Sequence, residues 1–545
     1  SRAVLKGLMQ DFPLTLDLVL RRALELGGEV DVVSATPAGI DRRSWRELGE
    51  RALRLGGVLD ELGVPAGGRV GTFAWNGHRH VELFLGAPCA GRVVHAVNVR
   101  LTGDQIVHLT GHAGDDVLFV DASLTGLLAP LRERLAVREI VVMEDGAPVH
   151  EAFAGCRRYE ELLAGQEASW KPRRPEEGDA AWICHTSGTT GCPKAVVSSH
   201  RSVVLHSLAS LQVDSHGVSR QDTVLPITPM FHANAWGMPY TAALAAARLV
   251  LPGGDASPEA LAHLVEAERV TIAAGVPTVF IRMLEAFDGG RDLSSLRRVL
   301  VGGAPPPRSL VAELVRRGIE FMQGWGMTEM SPSGTALTVR PGAELGGEEG
   351  GAVTSVGHAT PLVELRHVAE DGTVLPWDGE AVGELEARGP WVIRAYLDPD
   401  DDANHTRFHD GWLRTGDLGR IFPDGRVELV DRAKDLIKSG GEWISSIELE
   451  QALATHPAVG EAVVVGIPDA QWGERPAALV VPAAGRRVEP GELVDFLRGR
   501  VARWWLPDLV RVVDEIPKTP VGKYDKRRLR AELAEELERA PGARR

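Results

Sequence analysis

The stretch His185-Thr-Ser-Gly-Thr-Thr-Gly-Cys-Pro-Lys-Ala195 decides how the rest of the chain is read. It lies between two short apolar runs, 180–183 and 195–198, each with the composition of a buried strand. Its hydroxyl and glycine residues make a loop whose backbone N–H groups and side-chain oxygens converge on an anion, with Lys194 as counter-charge. It is not a Walker A motif: Pro193 stands where that motif needs a helix, and the G-x-x-x-x-G-K-[ST] spacing is absent. A polar surface loop is the plainer alternative, but it accounts poorly for so specific a string.

Outward from this loop, helix and strand alternate. Residues 14–26 have helical apolar spacing, and 69–73, 117–120, 223–227, 248–251, 271–275 and 298–301 read as strands, the mark of α/β architecture. From about Gly350 short strands and Gly/Pro turns take over (363–368, 383–388, 426–429), which predicts a β-rich subdomain. A fresh α/β pattern begins after Asp431-Arg432, with helices at 447–455 and 490–501 and strands at 461–467 and 477–481. The expected organisation is therefore a large N-terminal domain, 1–431, of two α/β subdomains plus the β-rich one. A small C-terminal α/β domain, 435–545, follows, and a charged helix expected to fray comes after Arg530.

Composition narrows the function. In 545 residues, 60 Lys+Arg face 75 Asp+Glu, a formal −15, which disfavours a nucleic-acid footprint, so any anion is held locally. No 18-residue apolar run appears, so no integral membrane segment is expected. Four cysteines make neither a disulfide framework nor a zinc spacing, and with no basic-then-apolar leader pattern the expected location is cytoplasmic. Only Lys6, Lys171, Lys194, Lys434, Lys438, Lys518, Lys523 and Lys526 are lysines, so 52 of the 60 basic residues are arginine. GC-rich codon usage explains most of that bias. The surviving lysines are then expected where a compact, flexible ammonium is needed.

Further strings follow in order: Pro229-Met-Phe-His-Ala-Asn-Ala-Trp236, Gly302-Gly-Ala-Pro305, Gln323-Gly-Trp-Gly-Met-Thr-Glu329, Arg414-Thr-Gly-Asp417, Asp431-Arg-Ala-Lys-Asp-Leu-Ile-Lys-Ser-Gly-Gly-Glu-Trp443 and Pro517-Lys-Thr-Pro-Val-Gly-Lys523. Together with the loop they resemble, over essentially the whole chain, the adenylate-forming superfamily of acyl-CoA synthetases, peptide-synthetase adenylation domains and luciferases. Ala195 and Ala395 stand where that superfamily usually has glycine, and neither departure removes a functional group. The resemblance implies two steps: a carboxylate attacks the α-phosphorus of ATP to give acyl-AMP and pyrophosphate, and a thiol then displaces AMP. Charge builds at one phosphorus, so positioning, cations and Mg²⁺ supply the catalysis.

The same resemblance assigns roles. Thr186, Ser187, Gly188, Thr189, Thr190, Gly191 and Lys194 would hold the β- and γ-phosphates, with Thr186 and Glu329 at Mg²⁺ and Thr328 on the α-phosphate. Gly303, Ala304, Gln323, Gly324, Trp325, Gly326 and Met327 would form the adenine site, with Trp325 stacked on the base. Asp417 would accept from the ribose hydroxyls, and Arg432 would reach the ribose or phosphate. Lys523 would bridge carboxylate and α-phosphate. Residues 432–434 would be the hinge on which the small domain turns between the two steps, with Lys434 at its end. Lys438, Ser439, Gly440 and Gly441 would then face the site as the coenzyme A loop, and Trp443 would help close over AMP. Taken alone, several of these have plainer readings: Thr328-Glu329 as a helix start, Trp325 as core, Asp417 as a turn cap, Lys523 as a solvated charge.

His232 would orient the carboxylate or adenylate, and Trp236 and Gly237 would line the acyl pocket. Ala233-Asn234-Ala235 stands where adenylation domains carry an aspartate for an amino group, and an unpaired ammonium would not be tolerated in an apolar pocket, so an amino-acid substrate is disfavoured. The strings look most like medium- and long-chain fatty acyl-CoA synthetases, and ligases for short thioether and aryl acids share them. The expected activity is an ATP-, Mg²⁺- and coenzyme A-dependent acid–thiol ligase. Loading of a carrier protein is the alternative second step. Fatty acyl members are often homodimers, which no residue here decides.

Overall fold

The computed structural model describes residues 5–168, 175–186, 193–343, 355–432, 434–439, 442–469, 471–519 and 523–539. Among the described residues the strands form three sheets. The first runs in the order Arg157–Arg158, Glu139–Met143, Asp115–Asp121, Arg69–Phe73, Val93–Ala96, Ala180–His185, Ala195–Ser199. All neighbours are parallel except the last pair, which is antiparallel and carries the 186–194 loop at its turn. Strands such as Val93–Ala96 and Ile272–Gly275 are buried along their whole length, as expected of parallel strands covered by helices on both faces. Two of the covering helices start on capping boxes: Ser44 and Glu47 form one for Trp45–Glu61, and Thr102 and Gln105 one for Gly103–Ala113.

The second sheet joins two of the expected subdomains. Its parallel half (Thr223–Pro226, Arg248–Leu251, Ile272–Gly275, Arg298–Val301, Glu320–Trp325) passes without a break into antiparallel strands Thr335–Val339 and Ser355–Ala359. Those lead on to Val427–Arg432, Trp412–Ile421, Gly383–Arg388 and Glu364–Val368. The β-rich region is thus an extension of the second α/β sheet, because Thr335–Val339 returns antiparallel along Glu320–Trp325 and offers its free edge to the next strand.

After Arg432 the chain changes sheets. Ile437–Ser439 and Glu442–Ile444 pair at one edge of a separate small sheet with Gly473–Pro482, Val459–Asp469 and Leu509–Val512. The helix expected over 490–501 ends at Leu497, before Gly499 at φ 78°. The last helix starts at Lys526, earlier than expected, and does not hang free: Leu529 and Leu533 are buried against Val463, Val465 and Ile467 of the small sheet. No helix among the described residues is long and apolar enough to cross a membrane.

Candidate active site

A cavity of about 440 Å³ opens where the carboxyl ends of the two large sheets face the small domain. Open α/β sheets bind ligands at that end. Thr186 and Lys194 both line it and close the base of the loop between them: Thr186 N–H donates to the Lys194 carbonyl (2.9 Å), and Lys194 N–H donates to Thr186 Oγ1 (3.1 Å). Ser187, Gly188, Thr189, Thr190 and Gly191 lie outside the described residues. Lys194 Nζ is held by both oxygens of Asp401 (2.5 and 2.6 Å).

Glu329 is buried, and its Oε1 accepts from the Tyr396 hydroxyl (2.6 Å) and Arg407 Nη1 (2.9 Å). Arg407 is fixed in turn by the carbonyls of Arg414 and Thr415. Thr328, Gly326 and Met327 line the same wall. Trp325 and Asp417 are buried and bonded to each other, indole N–H to Oδ2 at 2.8 Å, while Arg432 Nε stands 3.3 Å from Asp417 Oδ1. Gly303, Ala304, Gln323 and Gly324 line an adjoining recess that shares Trp325, Asp417 and Arg432 with the first cavity, and Gln323 Oε1 is buried there without a partner.

Lys523 enters from the small domain and touches both spaces. Its Cε passes close to Gly303, where a Cβ would meet it at an ordinary contact of 3.4 Å; it is the backbone there, at φ 83°, that favours glycine. Burial, then the Arg432 guanidinium, lowers the Lys523 ammonium to about 8 against the pull of Asp417. His232 lines the cavity, and burial followed by the Lys523 charge lowers it to about 3, so its imidazole is neutral at physiological pH. Lys434 also lines both spaces, lowered by burial.

Trp236 reaches the cavity by an unusual backbone. Ala233, Asn234, Ala235 and Trp236 all have φ between 44° and 56°, four left-handed residues in succession without a glycine. Each costs about 1–2 kcal/mol, a strain typical of sites that fix a side chain for a purpose. The turn is pinned by the Ala233 N–H on Cys184 Sγ (3.3 Å) and swings the indole over Gly302, where a Cβ would meet it at 3.2 Å. Gly237 ends the turn and backs onto His206; it does not line the cavity.

Lys438 and Ser439 stay in the small sheet, away from both spaces, and Ser439 Oγ accepts from Arg475 Nη1 (3.0 Å). Gly440 and Gly441 lie outside the described residues; Trp443 pairs with Lys438 through the strand. The sequence reading missed Arg407, Asp401 and the role of Tyr396, which lie 67 to 207 residues from the side chains they bind. It also missed a relay at the root of the loop, buried except at its half-buried His112 end: Asp115 to His95 Nδ1 (2.9 Å), His95 Nε2 to His185 Nδ1 (3.0 Å) and His185 Nε2 to His112 Nδ1 (3.2 Å).

Chemically, the site combines a loop and a lysine suited to phosphates, an aromatic and a carboxylate suited to a nucleoside, and a lysine between them. Among the described residues no cluster of three His, Cys, Asp or Glu side chains is able to cage a metal. The Glu329 carboxylate and Thr186 hydroxyl do suit a hard ion that keeps its water and takes phosphate oxygens, as Mg²⁺ does.

Comparison with known proteins agrees with this geometry. A profile described as AMP-binding enzyme matches residues 22–397, and one described as AMP-binding enzyme C-terminal domain matches 448–523. The chain is 44% identical over 528 residues to a long-chain-fatty-acid–CoA ligase of Thermus thermophilus, covering 96% of each. It is 40% identical over 541 residues to a 3-methylmercaptopropionyl-CoA ligase of Ruegeria lacuscaerulensis, covering 97% of this chain and 99% of the other. The o-succinylbenzoate CoA synthetase of Bacillus subtilis, solved with its acyl-adenylate intermediate, superposes with a TM-score of 0.79 at 26% identity, covering 96% of this chain and 98% of that one.

Proposed function

The chain belongs to the AMP-binding enzyme family, and from that premise we propose that it is an AMP-forming acid–thiol ligase that activates a fatty acid to acyl-AMP and passes the acyl group to coenzyme A. The observation that carries the reading is Lys523, a cation from the small domain at the junction of the Thr186–Lys194 and Trp325–Asp417–Arg432 sides of the cavity. With its ammonium at about 8 it is mostly charged at pH 7, as needed opposite a carboxylate and a phosphate that are both negative.

In the first step His232, neutral and beside Lys523, orients the carboxylate by hydrogen bonding. The carboxylate oxygen bonds to the α-phosphorus and the bond to pyrophosphate breaks, with Lys523 and Thr328 countering the charge that develops. Lys194 leaves Asp401 for the β- and γ-phosphates. Glu329, steadied by Tyr396 and Arg407, would hold Mg²⁺ together with Thr186, and the ion would neutralise phosphate charge. Trp325 stacks on adenine. Asp417, with one oxygen taken by the Trp325 indole and the other beside Arg432, keeps lone pairs for the ribose.

In the second step the small domain turns about residues 432–434. Lys438 and Ser439, remote from the cavity in this arrangement, then come to it with Gly440 and Gly441. The thiol attacks the acyl carbonyl and AMP departs. The reaction is assigned to the cytoplasm. A second reading, a short thioether acid as substrate, is favoured by the 40% identity to the 3-methylmercaptopropionyl-CoA ligase. Incubation with ATP, Mg²⁺, coenzyme A and a panel of acids, measuring AMP and thioester together, tests the proposal. Stoichiometric AMP and thioester with at least one acid is expected, and no acid-dependent AMP from any member would overturn it.

A further inference from the structure

The acyl side of the cavity does not end in a purely apolar wall. Leu300 and Met322 line it together with Trp236, but Ser215 and His216 line it as well. They are held in place from the second sheet. Arg298, buried at the start of the strand that runs on to Gly302 and Gly303, donates from Nη1 to the carbonyls of Val213, Ser215 and His216 (3.1, 3.1 and 3.0 Å) and pairs with Glu320. Because Arg298 opens the strand and Gly303 follows its other end, the Ser215–His216 wall belongs to the end of the cavity remote from the nucleotide.

His216 is buried, and its ring stands edge-on to His206, with centroids 6.3 Å apart. Burial, then the Arg298 charge, lowers it to about 4, so it is a neutral imidazole with one donor and one acceptor nitrogen. Nδ1 is sealed from solvent without a partner, and neither Nε2 nor Ser215 Oγ has a hydrogen bond among the described residues. A buried donor left unmade costs about 1–3 kcal/mol, whereas an unfilled acceptor is tolerated more readily. The economical tautomer therefore leaves the lone pair on the sealed Nδ1 and the proton on Nε2, the nitrogen that is not sealed. A plain alkyl chain would leave that donor unsatisfied.

Resting on the acyl-activating reading above, we infer that the acid carries a hydrogen-bond acceptor, an oxygen or sulfur atom, in the part of its chain remote from the carboxylate, and that His216 with Ser215 selects for it. Sites built to hydrogen-bond a substrate group discriminate more sharply against analogues lacking it than apolar pockets do.

The test compares acids of equal chain length, a plain alkanoic acid against its ether, thioether and keto analogues substituted near the far end. The readout is kcat/KM for ATP–pyrophosphate exchange by the full-length chain. The wild type is expected to favour at least one heteroatom acid by about tenfold, the size of one neutral hydrogen bond. His216→Leu is expected to bring that ratio to about one, and His216→Gln, which retains a donor, to restore part of it. A wild-type ratio of one or less overturns the inference without any variant. An unchanged ratio in a folded His216→Leu protein overturns the role of His216. If no acid supports exchange, the acyl-activating reading itself falls, a result distinct from exchange without discrimination.

Discussion

Lys523 makes the chemistry depend on pH with a sign and size that follow from its surroundings. Burial and the Arg432 charge lower the free-enzyme ammonium to about 8, and adenylation requires its charged form. About 90% is charged at pH 7 and about 10% at pH 9, so kcat/KM for ATP–pyrophosphate exchange is expected to fall about tenfold over those two units. The loss comes as pH rises, since the active form is the protonated one. His232, lowered to about 3, adds no acid limb between pH 5 and 8. The assay is exchange at subsaturating acid and ATP, so that the free-enzyme ionisation is read, with protein stability checked at each pH. Lys523→Arg, whose guanidinium stays charged, should be slower at pH 7 but lose the alkaline limb below pH 10. A flat profile in the wild type, or a limb that survives in Lys523→Arg, would refute the reasoning.

Asp401→Asn removes the charge that holds Lys194 but keeps the oxygen that caps Ala403 N–H; a partly exposed pair is worth about 1 kcal/mol, so ATP should bind about fivefold more tightly by calorimetry, and weaker binding would contradict a phosphate role for Lys194. Arg407→Met leaves the buried Glu329 carboxylate without its charged partner and should cost about 3 kcal/mol in denaturant unfolding, largely recovered when Glu329→Gln is added; a loss under about 1 kcal/mol would show the pair to be incidental. Lys434→Pro stiffens the proposed hinge and should leave exchange within about twofold while slowing thioester formation at least about tenfold; unchanged thioester rates would sink the hinge.

Much of the site was legible because its residues sit in short strings at the ends of strands. Thr186 and Lys194 close one turn between paired strands, and Gln323–Trp325 finishes a strand whose next residues are Gly326 to Glu329, so local sequence carries both element and chemistry. Of the eight lysines, Lys194, Lys434 and Lys523 line the cavity. Lys526 is tied to Glu450 and Ser446; burial alone would lower it, but Glu450, Asp431 and Asp435 hold it raised. What stayed hidden depends on pairings far apart in the chain. Arg407 meets Glu329 only because Trp412–Ile421 folds the 407–415 segment back beside it. The left-handed turn at 233–236 has no glycine to announce it, and His216 acquires its place through Arg298, 82 residues on. The continuity of the second sheet was likewise hidden, since strand order is set by edge pairing and not by composition.

The central claim, that one lysine from the small domain serves adenylation and not thioester formation, is tested most directly by measuring the two half-reactions separately in Lys523→Ala. Acyl-AMP formation from ATP and acid is expected to fall by at least about a hundredfold, the scale of removing one preorganised charge stabiliser, while conversion of supplied acyl-AMP to thioester by coenzyme A stays near the wild-type rate. Equal loss of both half-reactions, or retention of adenylation, would contradict the account.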